Sequence, residues 1–265
     1  MSDVNWPAQT LVLTGASGGL GQALAEQLSR RGARLLLVAR STEQLSALAT
    51  RLKQTAVAAD LATEAGRQRL QECVQALSTP LTGLINNAAV THEGLFADAT
   101  AEDIEAVIET NLKMPLLLTH QLLPQLRTNH GWVMNIGSVF GALGFPGQSL
   151  YCASKFGLRG FSEALQRELM ADDVTLLYCA PRAIHTNLNN GLISRLNQRL
   201  KTAQDSPQWV AAQVIQQIEQ QQHSQTLGWP EKAFARINGL WPEQVARSLR
   251  RARQTLYKLL EDNPS

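Results

Sequence analysis

The chain has 265 residues, 44% of them hydrophobic and 17% charged, with a net charge of +2. That length allows a sizeable core, and so even a charge balance excludes nucleic-acid binding as the main activity. Cys73, Cys152 and Cys179 are odd in number and widely spaced, which reads as reduced thiols rather than a disulfide framework. Neither a signal-peptide core nor an apolar run of about 18 residues is visible. The expectation is a cytoplasmic protein, neither secreted nor membrane-spanning.

In chain order, Thr10-Leu11-Val12-Leu13 is a short apolar strand leading into Thr14-Gly15-Ala16-Ser17-Gly18-Gly19-Leu20-Gly21. A helical pattern at Leu20, Ala23, Leu24 and Leu28 follows and closes at Gly32. Strand, glycine-rich turn and helix form the layout in which backbone amides and a helix N-terminus receive a phosphate. The next strand, Arg34–Val38, ends at Ala39-Arg40. In dinucleotide folds an acid near this point holds a ribose 2′-hydroxyl, whereas arginine accommodates a 2′-phosphate. Arg40 in a position without an acid therefore points to NADP(H).

A helix over Glu43–Leu52, a strand at Ala56–Ala59 ending in Asp60-Leu61, and a helix over Glu64–Leu77 come next. The strand Leu81–Ile85 runs into Asn86-Asn87-Ala88-Ala89, polar and small residues suited to backbone lying close to a ligand, or to a plain turn. A long helix over Ala101–Leu123 carries Asn111, which by itself reads as an asparagine satisfying a local carbonyl. The buried strand Trp132–Ile136 places Ser138 at its carboxyl end. A helix over Leu150–Met170 puts Tyr151 and Lys155 one turn apart on one face. A free phenol has a pKa of about 10, and an ammonium beside it is expected to draw that value down toward the general acid/base range. A sixth strand spans Val174–Cys179. The alternation predicts an α/β fold, a Rossmann-like doubly wound parallel sheet with helices on both faces and right-handed crossovers.

With these residues in order, the chain resembles a single-domain short-chain dehydrogenase/reductase. The resemblance covers about Thr10 to Thr186 and rests on the Thr14–Gly21 turn, Asn86-Asn87-Ala88, Asn111, Ser138 and Tyr151-x-x-x-Lys155. It implies that Ser138 holds the carbonyl or alcohol oxygen, Tyr151 is the acid/base, Lys155 holds the nicotinamide ribose and lowers the tyrosine pKa, and Asn111 anchors a relay water. It also implies cofactor contacts from Gly15, Ser17, Gly18, Gly19, Leu20, Gly21, Arg40, Asp60, Leu61, Asn87, Ala88, Ala89, Tyr151, Lys155, Pro181, Arg182, Ile184 and Thr186. No metal is implied. Two departures stand out. Ala89 replaces a usual glycine, a mild change if its φ is negative. In Pro181-Arg182-Ala183-Ile184-His185-Thr186 Arg182 stands where a glycine is usual; it either meets an acidic substrate group or the cofactor phosphates, or faces solvent.

From Asn187 to Ser206 an amphipathic stretch (Leu188, Leu192, Ile193, Leu196, Leu200) resembles the family's mobile lid and favours a lipophilic substrate. A helix over Ser206–Gln222 and a short seventh strand at Thr226–Trp229 complete the cofactor-binding and catalytic unit, residues 1–230. Residues 231–265 form a helical extension in which Phe234, Ile237, Leu240, Trp241, Val245, Leu249, Leu256, Leu259 and Leu260 alternate with Arg236, Arg247, Arg250, Arg251, Arg253 and Lys258. Two outcomes fit that pattern. Most amphipathic helices bury their stripe in protein; the alternative is peripheral contact with an anionic membrane. The function expected is NADP(H)-dependent reduction of a ketone, aldehyde or 3-oxoacyl group, or its reverse, by a homodimer or homotetramer. The contrasting expectation is a cofactor-binding regulator or scaffold without turnover.

Overall fold

The computed structural model describes residues 4–186, 188 and 191–262. The strands are β1 (Thr10–Thr14), β2 (Arg34–Ala39), β3 (Thr55–Ala58), β4 (Gly83–Asn86), β5 (Trp132–Ile136), β6 (Thr175–Ala180) and β7 (Ser224–Thr226). They form one seven-stranded sheet in the order β3-β2-β1-β4-β5-β6-β7 with every neighbour parallel. The order reverses between β1 and β4, the point where a crevice opens beyond the strands' carboxyl ends.

The inner strands β1, β4 and β5 are buried on both sides, and alternate residues feed separate cores. Leu11, Leu13, Leu35, Leu37, Ile85 and Met134 face one way, against α1 (Gly19–Arg30), α2 (Thr42–Leu52) and a further helix over Pro207–Glu219. Val12, Leu36, Val38, Leu84 and Val133 face the other way, against α3 (Glu64–Gln75) and α5 (Met114–Thr128), which is preceded by α4 (Ala101–Ile108). The helix expected over 101–123 is one rod interrupted by a π-helical turn at Glu109–Lys113. The seventh strand ends earlier than its sequence suggests, because Gly228 at φ +87 turns the chain away from the sheet.

After β5 come α6 (Ser149–Glu168), α7 (Leu192–Leu200) and α8, the Pro207–Glu219 helix. The extension is three helices: α9 (Glu231–Leu240), α10 (Pro242–Ser248) and α11 (Arg250–Glu261). Leu256 and Leu259 of α11 pack with Leu192, Ile193 and Leu196 of α7, so this part of the stripe is buried in its own chain. Ile237, Leu240 and Trp241 are not; they stay exposed.

A polar ladder crosses the sheet centre. Asn86 Nδ2 donates to Asn135 Oδ1 (2.8 Å), Asn135 Nδ2 to Ser162 Oγ (2.9 Å), and Ser162 Oγ to Leu158 O (2.7 Å), all buried. It ties β4, β5 and α6 in register below the crevice, since each member has few other partners in the dry interior. Asn135→Ala should lower the unfolding free energy by about 2–3 kcal/mol, measured by urea denaturation; an unchanged midpoint would show the ladder to be dispensable.

Candidate active site

At the crevice, β1 and β4 are stapled by one hydroxyl. Thr14 Oγ1 donates to Ile85 O (3.3 Å) and accepts from the amides of Asn87 (3.0 Å) and Ala88 (3.1 Å). Asn87 Nδ2 returns bonds to Thr14 O and Gly15 O at 3.0 and 3.2 Å. Gly15 has φ +64, and a Cβ there would lie 2.7 Å from Ala88 Cα; only glycine fits. A Cβ at Gly21 would lie 2.1 Å from Gly15 O, so this glycine lets α1 start tight against the turn. Gly18 caps α1 without any side-chain cap, leaving the first-turn amides free to meet an anion. Thr186 closes over this turn, its Cγ2 2.8 Å from where a Gly19 Cβ would be.

The catalytic end is built on β5 and α6. Ser138 follows Gly137, where a Cβ would run into the Tyr178 phenol, and its Oγ accepts from the Phe140 amide at 3.1 Å. Tyr151 and Lys155 share a face of α6, with Lys155 Nζ 5.6 Å from the Tyr151 ring centroid. Phe140 meets Tyr151 edge-on at 6.4 Å and stacks on Phe145 at 5.0 Å. Asn111 does not serve a local carbonyl. Its Oδ1 accepts from the Val90 amide and its Nδ2 donates to Val90 O, both at 2.8 Å, and to Ser154 Oγ at 3.1 Å. It thereby ties the loop after β4 to the turn of α6 that carries Tyr151, since Ser154 Oγ donates to Tyr151 O (2.8 Å).

The electrostatics differ from the sequence expectation. Burial pushes the Tyr151 phenol up to about 12, outweighing the hydrogen bond with Ser138 that lowers it. Burial draws Lys155 down to about 8. The Lys155 Nζ donates to Ile136 O at 3.0 Å, so the amine is held by the strand end and does not depress the phenol as expected; desolvation wins over the charge.

Of the catalytic and cofactor-contacting residues expected from the sequence, all but Asn111 line one cleft of about 940 Å³, which runs from Arg40 and Asp60 past the Gly15–Gly21 turn and Asn87, Ala88 and Ala89 to Ser138, Tyr151 and Lys155. Leu61, Pro181, Ile184 and Thr186 line it as well. Asn111 is buried behind it. Arg40 is exposed and makes no ion pair among the described residues. Ala89 is not among the residues at positive φ, so its side chain costs no backbone strain. Contrary to the sequence expectation, Arg182 is neither solvent-facing nor free for a phosphate or an acidic substrate group. Its Nε and Nη2 grip Asp205 (3.0 and 2.7 Å), and Nη1 donates to Trp229 O (2.8 Å) and Glu231 (3.4 Å). Those bonds, foremost the ones to Asp205, raise its pKa.

Several cleft residues were not legible. Phe140, Leu143, Phe145 and Gln148 follow Ser138, and Glu231, Phe234, Ser248 and Leu249 come from the extension, which carries no motif. Of the lid stretch, α7 and Leu188 are described while Asn187, Asn189 and Asn190 lie outside the described residues. The start of α7 is held by Glu93, whose Oε2 accepts from the Ile193 amide at 3.3 Å; burial raises that carboxyl's pKa.

The sequence pattern of the short chain dehydrogenases matches residues 9–197. The chain belongs to this family. Among its relatives, nodulation protein G of Rhizobium sp. (strain N33) is 37% identical over 72% of this chain and 78% of its own. The 3-oxoacyl-[acyl-carrier-protein] reductase FabG of Escherichia coli (strain K12) is 32% identical over 71% and 79%. Among solved structures, a short chain dehydrogenase/reductase from Burkholderia phymatum in complex with NAD superposes with a TM-score of 0.82 at 20% identity, over 91% of this chain and 96% of its own. A short-chain dehydrogenase from Sphingobium yanoikuyae in complex with NADPH gives 0.76 at 26% identity, over 90% and 95%. The seven-stranded sheet is thus a short-chain dehydrogenase fold, and the chain is an oxidoreductase of that family.

The lowered Lys155 pKa has a measurable consequence in this dehydrogenase. An ordinary lysine pKa is about 10.4, so between about 8 and that value the unfolded chain binds the extra proton and stability rises with pH. The cost of burying the ammonium is present in full below pH 8 and vanishes above the unfolded value. Lys155→Met should therefore stabilise the cofactor-free protein at pH 7 by roughly 1–3 kcal/mol, the gain fading by about pH 10.5. Urea denaturation at both pH values tests this; an equal effect at both would refute the assignment.

Proposed function

We propose that the protein is an NADP(H)-dependent reductase of carbonyl compounds with an apolar body, working in reverse as an alcohol dehydrogenase. What carries the reading is the meeting, in one cleft, of the Ser138–Tyr151–Lys155 cluster with the glycine turn and uncapped N-terminus of α1. The residues fit a dinucleotide. Free α1 amides and the side-chain-free turn at Gly15–Gly21 suit its diphosphate, and Asp60, Leu61 and the Asn87–Ala89 backbone border the adenine and ribose side. Arg40, without an ion pair among the described residues and just past the carboxyl end of β2, suits a 2′-phosphate. When bound, the nicotinamide cofactor supplies hydride to a carbonyl carbon or accepts it from an alcohol.

The chain's own groups do the rest. Ser138 donates a hydrogen bond to the carbonyl oxygen and Tyr151 gives that oxygen its proton. A phenol with a pKa near 12 is fully protonated at neutral pH and so is set for the reducing direction. Lys155, anchored on Ile136 O, has two further N–H donors for a ribose hydroxyl and for the phenolate left behind. Phe140, Leu143, Phe145, Ile193, Phe234 and Leu249 line the same cleft and would help keep water from the reacting oxygen. Arg182, which also lines the cleft, is already committed to two carboxylates and is not free to anchor an acidic substrate. The FabG relative supports carbonyl reduction, and the NADPH complex supports the cofactor.

Tyr151→Phe should lower kcat by roughly 10²–10⁴-fold with NADPH binding close to wild type, read by NADPH oxidation and fluorescence titration over aldehydes, ketones and 3-oxoacyl compounds of graded length. Wild-type turnover in that variant would overturn the mechanism. Arg40→Asp should shift the NADPH/NADH preference by roughly 10–100-fold toward NADH, measured as the ratio of kcat/KM; an unchanged ratio would remove Arg40 from cofactor choice.

A further inference from the structure

The helical extension differs from the rest of the surface in both polarity and charge. Trp229, Leu240 and Trp241 are 68, 70 and 61% exposed, and Ile237 is 40% exposed, whereas Val245, Ala252, Leu256 and Leu259 are buried. Large apolar side chains grouped on a surface mark a place where something else sits. Phe234, which lines the cleft, shares a face of α9 with Ile237, and Leu240 and Trp241 follow at the end of the helix. The apolar surface thus starts at the mouth of the cleft and runs outward.

Residues 231–262 hold seven Lys and Arg against four Asp and Glu, a net +3 in a chain whose total is +2. Arg236, Arg247, Arg250, Arg251 and Lys258 are exposed and make no ion pair among the described residues. One of the acids, Glu231, is spent on Arg182. Whatever covers this face is therefore anionic and has an apolar interior. A second copy docked face to face would bring like charges together. Exposed tryptophans beside unpaired arginines are what a lipid headgroup boundary accommodates, rings in the interface and guanidiniums on phosphates. Among the described residues no helix is long and apolar enough to cross a membrane, so contact is from one side.

We infer that the extension seats the protein on an anionic lipid surface, with Trp229, Leu240 and Trp241 in the headgroup–acyl boundary and the free arginines on lipid phosphates, so that the cleft mouth at Phe234 faces the bilayer. This docking does not depend on the catalytic reading; a wrong substrate class would leave it standing.

The test is co-sedimentation of the full-length protein with phosphatidylcholine vesicles, with and without phosphatidylglycerol. Binding should require phosphatidylglycerol, fall steeply with added salt, and drop by roughly an order of magnitude in Leu240→Asp/Trp241→Ala and in Arg250→Glu/Arg251→Glu. NADPH binding and the thermal midpoint of each variant verify that it is folded. Absence of binding to either vesicle, equal binding to both, or undiminished binding by folded variants would overturn the inference. So would a change of solution mass from dimer to monomer in Leu240→Asp/Trp241→Ala with no vesicle binding by the wild type, which would give the face to a second copy.

Discussion

The site depends on how closely two neighbouring parallel strands, β1 and β4, approach each other at their carboxyl ends. Thr14 Oγ1 serves three backbone groups of the β4 end at once, and Gly15 brings the chain within contact of Ala88. Because that contact leaves no room for a side chain, the backbone itself forms the crevice wall, and α1 starts with its amides facing outward. The buried Asn86–Asn135–Ser162 ladder carries the same register two strands over, to the helix bearing Tyr151 and Lys155. The glycine-turn end and the Ser138–Tyr151–Lys155 end of the cleft are thus held by side-chain hydrogen bonds that run from β1 through β4 and β5 to α6.

On this frame, desolvation rather than charge pairing sets the ionisation of the reactive groups. A phenol pushed up and an amine drawn down both favour the neutral form, as expected when a hydrophobic cleft holds two titratable groups without a counter-ion. The arrangement stores free energy that ordinary packing would not, which is common where function conflicts with stability. Helix spacing correctly placed Lys155 near Tyr151, but spacing says nothing of what the ammonium is bonded to or how dry the surroundings are.

The alternation of apolar runs made the sheet and most helices legible, because strands buried on both faces read as unbroken Leu and Val stretches. The glycine turn, Ser138, Tyr151 and Lys155 were legible because their chemistry fixes residue type and spacing. What was not legible depends on distant partners. Asn111 looked like a local cap in a regular helix, and only the fold brings Val90 and Ser154 to it. Arg182 looked free because Asp205 and Glu231 are far from it in sequence. The extension's contribution to the cleft through Phe234 and Leu249 left no trace in any motif, since an apolar residue that lines a pocket and one that fills a core read alike.

Arg182 joins three segments that the chain order keeps apart: the loop after β6, the return of the α7 insertion at Asp205 and the start of α9 at Glu231. Gly228 is part of that joint, for a Cβ there would lie 2.5 Å from the Arg182 side chain. Where a glycine would leave these segments without a side-chain link, the guanidinium binds all three together, so a tilt of the C-terminal helices would be passed on to the loop after β6.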